Sequence, residues 1–265
     1  MIIKLAFEKS DLISPTILNL CHNVNQLGLL SGKEKNTIDL SVLNWVRPLA
    51  ILPIASLLFD LQRRDYKFDI IKPTTLDAGS YLIKTLKFFE GVHSSDYFRR
   101  HKNYIPIVSL PNKSAEIKDR NQVLSCLLDI LLQQIACKRN LYNAIWYALS
   151  EMFDNIWEHS KTEYGWFLAQ YYRNKGFADI CFLDNGISIK GAYDNKGIGV
   201  ANDAKAIELA LSGKSTQKED RGFGLRTTKR LITESSLKGE FLVLSGQNGY
   251  YGSRNEEMLF NLNCY

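Results

Sequence analysis

Residues 151–159 read Glu-Met-Phe-Asp-Asn-Ile-Trp-Glu-His, and the fold of the C-terminal half turns on them. The spacing predicts the end of a helix running from Leu141 to His159. Residues four apart share a helix face, so Glu151, Asn155 and His159 would form one polar stripe with Glu158 beside it. Met152, Phe153, Ile156 and Trp157 fall on other faces and are available for packing. A polar stripe alone is usually a solvated face.

Two further stretches lie downstream. Phe177 to Leu183 alternates like a strand and ends in Asp184-Asn185-Gly186, which in isolation reads as a turn. Asp220-Arg221-Gly222-Phe223-Gly224-Leu225 comes immediately before another helical pattern. Two glycines let backbone approach a ligand, and free N–H groups at a helix start favour phosphate.

In order and spacing, the three stretches together resemble the GHKL superfamily (gyrase, heat-shock chaperone ATPases, histidine kinases, mismatch-repair ATPases, anti-sigma-factor kinases). The resemblance covers about residues 120–265. It implies an α+β two-layer sandwich of the Bergerat type that binds ATP with Mg²⁺. Asn155 matches the asparagine that holds the metal against the triphosphate, and Glu151 the carboxylate that activates water in hydrolytic members. Asp184 matches the aspartate that accepts from the adenine amino group, with Asn185 beside it and Gly186 letting backbone approach the base. Gly222, Phe223, Gly224 and Leu225 match the second glycine box. Residues 191–221 match the lid, where Lys214, Ser215, Thr216 and Arg221 are candidates for phosphate contact. The chain departs from the family pattern at Ser188, where a second glycine is usual, and at Phe223.

The rest of this half is helical over Gln122 to Cys137 and Ala204 to Leu211, and again over Leu225 to Thr233. Its strand candidates are Gly165 to Tyr172, Phe177 to Leu183, Glu240 to Ser245 and Met258 to Leu262. The first two, joined at Asn174-Lys175-Gly176, suggest an antiparallel hairpin.

Upstream, Thr37 to Leu40 and Tyr66 to Ile71 read as strands, and Ala78 to Phe89 as an amphipathic helix. The alternation argues for a separate α/β domain over residues 1–115, followed by an ATP-binding domain over 116–265. The run IDLSVLNWVRPLAILPIASLL looks like the STAS-like regulatory modules that accompany GHKL domains. The first 30 or so residues give mixed signals and carry no assignment. Val42 to Phe59 is mostly apolar, but Asn44, Arg47 and Pro53 interrupt it. A buried helix, not a membrane span, is the expectation.

Composition agrees with a globular protein: 265 residues, 45% hydrophobic, 23% charged, net charge +5. Five scattered cysteines without a C-x-x-C pair suggest free thiols and no zinc site. The apolar run at the N-terminus is too short for a signal peptide, so a cytoplasmic location is expected.

The functional expectation is an Mg²⁺-ATP-binding regulatory protein, a slow ATPase whose nucleotide state controls a protein partner, with homodimerisation as a further option. A serine/threonine kinase of the anti-sigma type is the alternative. Histidine kinase activity is disfavoured, because no long dimerisation helix with a phosphoacceptor histidine precedes the domain. Arg63-Arg64 and Arg99-Arg100-His101-Lys102 keep nucleic-acid binding as a lesser option.

Overall fold

The structure, a computed structural model, describes residues 1–262 except 6, 8–12, 31, 33–34, 44–45, 76–102, 112–116, 133–138 and 214–223. It is a mixed α/β protein whose described strands form three three-stranded sheets. Two compact units emerge. One contains residues 1–110 and 166–183; the other contains 111–165 and 184–262.

In the first unit, β1 (Ile2–Lys4), β2 (Asn36–Asp39) and β3 (Phe68–Ile71) make a parallel sheet in the order β1-β2-β3. The registers are Ile3 opposite Ile38 and Ile38 opposite Ile70. Parallel neighbours need crossovers, here α1 (Ile13–Leu27) and α2 (Pro48–Arg63). Proline at the first position of α2 loses no hydrogen bond and pre-sets the backbone for the helix. Ala50, Ile51, Leu52, Ile54, Ala55 and Leu58 of α2 are buried. Each of its large aliphatics stabilises the fold by roughly 1.5–3 kcal/mol. The apolar run is therefore a core helix. Among the described residues, no helix is long and apolar enough to cross a membrane.

A second sheet, ordered β4-β5-β6, is built from β4 (Tyr104–Pro111), β5 (Tyr164–Tyr172) and β6 (Phe177–Asp184). The turn between β5 and β6 closes with Gly176 at φ +70°, donating its N–H to the Tyr172 carbonyl at 2.9 Å. Arg47 bridges to this sheet within the first unit. Its guanidinium donates to both carboxylate oxygens of Asp179 on β6, at 2.7 and 3.0 Å, and lies over the Phe177 ring. The expected helix Ala78 to Phe89 lies outside the described residues.

The second unit holds α3 (Ile117–Leu132) and α4 (Arg139–Asp154). α5 (Ile189–Asn195), α6 (Asp203–Leu211) and α7 (Gly224–Glu234) follow. Its antiparallel meander is β7 (Phe241–Ser245), β8 (Asn248–Gly252) and β9 (Glu257–Asn261). Ile207, Phe241 and Tyr250 form a buried cluster, with Ile189, Leu225, Ile232 and Val243 packed against it.

One expectation is corrected. The helix does not run unbroken to His159: α4 ends at Asp154, and Asn155–His159 form a π turn. Sequence spacing assumes i→i+4 bonding, whereas a π turn bonds i→i+5, so the four-residue spacing from Asn155 to His159 no longer describes a regular helix face.

Candidate functional site

α4 and its π turn form the spine of the site. Phe153 and Ile156 are buried, and Trp157 stacks on Phe153 with ring centroids 5.0 Å apart. Arg120 from α3 lies over both rings and forms an ion pair with Asp154. This packing holds the end of the helix, so the widened turn is firmly supported. At its start the Asn155 side-chain NH₂ is buried and has no hydrogen-bond partner. Leaving a buried amide group unpaired costs about 1–3 kcal/mol. A buried donor left without a partner calls for an explanation, and an acceptor on a bound molecule is one.

Glu151 sits one turn earlier, on α4. Burial, and then a hydrogen bond to Glu151, raise the Tyr147 phenol above its ordinary value. Burial lowers His159 below the usual histidine value, and the nearby Lys196 lowers it further. Glu158, Asp154 and Glu151 act in the opposite sense.

Asp184 ends β6 and begins a tight turn, in which the Gly186 N–H donates to Asp184 Oδ1 at 3.0 Å. Burial raises the Asp184 carboxyl above the ordinary carboxylate range, and the Gly186 hydrogen bond only partly opposes it. This turn docks on the residue that follows the π turn. The Ile187 N–H donates to the Ser160 carbonyl at 2.7 Å. A Cβ on Gly186 would lie 1.9 Å from that same oxygen, so only glycine fits there. Ser160 is itself buried, and its hydroxyl donates back to the Ile156 carbonyl and accepts from Thr162 N–H. The chain then leaves through Lys161 at φ +54°, a left-handed conformation uncommon for a residue with a side chain.

The described end of the second glycine motif, Gly224, reaches the same spine. Gly224 opens α7, and a Cβ there would lie 2.5 Å from Glu151 Oε2. α7 packs along α4, with Thr228 Oγ1 3.5 Å from the Ala148 carbonyl. Leu225 is partly buried against the Ile207 cluster.

Thus Glu151 meets Gly224, and the turn that starts at Asn155 meets the Asp184-Asn185-Gly186 turn through Ser160. Asn185 is exposed beside the turn. Lys214, Ser215, Thr216, Arg221, Gly222 and Phe223 lie outside the described residues, as do Arg99 to Lys102. Sequence reasoning missed Ser160 and Tyr147. Ser160 acts largely through its backbone carbonyl, which leaves no mark on residue type. Tyr147, four residues before Glu151, could have been found from helical spacing.

Among the described residues, no group of three or more His, Cys, Asp or Glu converges on a metal position. A hard cation at Asn155 would draw on the amide oxygen, with its remaining ligands supplied by water or by a bound anion. No family model, curated protein or solved structure matches the chain.

Proposed function

We propose that the second unit binds Mg²⁺-ATP in the manner of the GHKL superfamily, and that its nucleotide state controls a protein partner. One observation carries the reading: α4 and the residue that follows its π turn touch both glycine motifs, Glu151 against Gly224 and Ser160 against Gly186. Three stretches that look ordinary singly thus converge on one element. The buried, unpartnered side-chain NH₂ of Asn155 between them is a donor that fits an acceptor such as a phosphate oxygen.

In this reading Asp184 accepts a hydrogen bond from the adenine amino group, which selects adenine over guanine. The partner would also favour the ionised carboxylate that burial disfavours. Gly186 lets the turn that carries Asp184 pack against the Ser160 carbonyl, and Asn155 would offer its amide oxygen to Mg²⁺. The N–H groups at the start of α7 point the positive end of the helix at phosphate. Glu151, held by Tyr147, takes a proton from water as general base. The nucleotide, when bound, supplies a phosphoanhydride as the electrophile. The N-terminal parallel sheet, on its STAS-like resemblance, is assigned to protein contact.

Titration calorimetry of Mg²⁺-ATP and Mg²⁺-GTP into the full chain tests the reading. Micromolar ATP binding at least tenfold tighter than GTP is expected. Equal affinities, or no ATP binding, would overturn it. Labelled ATP with candidate partners then separates hydrolysis from transfer to a protein serine or threonine.

A further inference from the structure

The family pattern has a glycine where this chain has Ser188, and the hydroxyl it gains is in use. Ser188 caps α5, accepting from the Gly191 N–H at 3.2 Å, and its hydroxyl donates to Asp203 Oδ1 at 3.4 Å. Asp203 is the first residue of α6. Its other oxygen, Oδ2, accepts from the Gln247 N–H at 3.0 Å, in the turn between β7 and β8. A second bond runs alongside, from the Ile189 N–H to Ser245 Oγ at 2.9 Å.

The approach of that turn to Asp203 is close. Gly246 adopts φ +59°, and a Cβ there would lie 2.2 Å from Asp203 Oδ2. The turn therefore needs glycine twice over, for its backbone and for its space. One carboxylate joins three segments far apart in sequence: Ser188, α6 and the β7–β8 turn. Ser188 lies two residues beyond Gly186, so the far shoulder of the Asp184 turn is fixed by this clamp. Between Gly186 and Ser188, the Ile187 N–H is held by the Ser160 carbonyl.

We propose that Asp203 is a positioning residue for nucleotide binding, acting through Ser188 to hold the Asp184 turn in its base-accepting geometry. This rests on the ATP-binding reading of the same turn. Asp203 touches no nucleotide itself; it sets affinity at the base end and leaves the phosphate end alone. A carboxylate clamp of this kind also makes the serine at position 188 a working substitution, because glycine could not bridge to Asp203.

The test uses the full chain carrying Asp203→Ala, Asp203→Asn, Ser188→Ala and the double Ser188→Ala/Asp203→Ala. Asp203→Ala should weaken ATP, ADP and AMP by one common factor, about tenfold, because the lost geometry lies at the base they share. Asn keeps an acceptor for Gln247 and should recover most of the affinity. The double variant should be no weaker than the Asp203→Ala single, since both break one linkage. Amide hydrogen exchange on the nucleotide-free protein gives a second readout. Asp203→Ala should speed exchange at Gly191 and Gln247 together. Additive single effects, ATP weakened far more than AMP, or unchanged exchange at Gly191 would each overturn the clamp. If wild-type protein fails to bind ATP, the nucleotide reading falls, and the exchange data alone decide whether Asp203 holds these segments.

Discussion

The α-carbon of Gly224 lies so close to Glu151 that a methyl group on it would sit 2.5 Å from the carboxylate Oε2. The obstruction is the end of a flexible side chain, so Gly224→Ala should fold with a melting temperature near wild type. It should nevertheless displace Glu151. ATP hydrolysis is expected to fall about 100-fold, within the usual range for a mispositioned general base. Steady-state phosphate release alongside a thermal melt checks both halves.

Gly186→Ala should behave in the opposite way. Its methyl would meet the backbone carbonyl of Ser160 at 1.9 Å, and backbone cannot swing aside. Destabilisation of about 2–4 kcal/mol is expected, at the upper end for overpacking. Urea unfolding measures it. A loss under 1 kcal/mol would mean that the turn is not docked as described.

Asp184→Asn separates function from stability. Burial raises the Asp184 carboxyl in the folded chain, so the native state holds its proton more tightly than the unfolded state does. Stability from this group is therefore fully present below the unfolded value and is lost as pH rises through the folded value. At neutral pH the ionised carboxylate is a burden that asparagine removes, and asparagine still accepts from Gly186. The variant should melt higher than wild type at pH 7, with the gap closing below about pH 4, near the unfolded aspartate value. Its ATP affinity should drop about 10- to 100-fold, the worth of one charged hydrogen bond. Melting curves across pH, with calorimetry at pH 7, test the two effects in one protein.

In the first unit, Arg47 and Asp179 make a bidentate pair in which both side chains are largely buried, at 7% and 13% exposure. Removing one partner strands the other charge. Arg47→Ala should cost about 3–5 kcal/mol. The exposed Lys35–Asp69 pair is a built-in control: Lys35→Ala should change stability by less than about 1 kcal/mol. Similar losses from the two variants in guanidinium unfolding would refute the contrast.

What could be read from sequence follows what each residue's neighbours do. α2 was legible because its apolar run has one physical outcome, burial. The β5–β6 hairpin was legible from alternation and from Gly176. α1 was not, because Leu18 and Val24 are exposed while Thr16 and Asn23 are buried, which blurs its stripe. β8 was hidden by Asn248-Gly249, which reads as a turn yet lies inside a strand; the real turn is at Gly246. The short helix α5 was absorbed into the expected lid. At the site, residue types singled out Glu151, Asn155, Asp184, Gly186 and Gly224. The π turn was beyond reach, since residue types carry no mark of i→i+5 bonding. The contact at Ser160 was equally hidden, because a backbone carbonyl makes it.

The most direct test of the ATP-binding account is the magnesium dependence of ATP affinity in wild type and Asn155→Ala. Calorimetric titrations of ATP, with Mg²⁺ and with EDTA, would be run on each. The account predicts that Mg²⁺ tightens wild-type binding at least tenfold and that Asn155→Ala loses this gain while remaining folded. Equal magnesium enhancement in the two proteins, or no ATP binding by wild type, would contradict it.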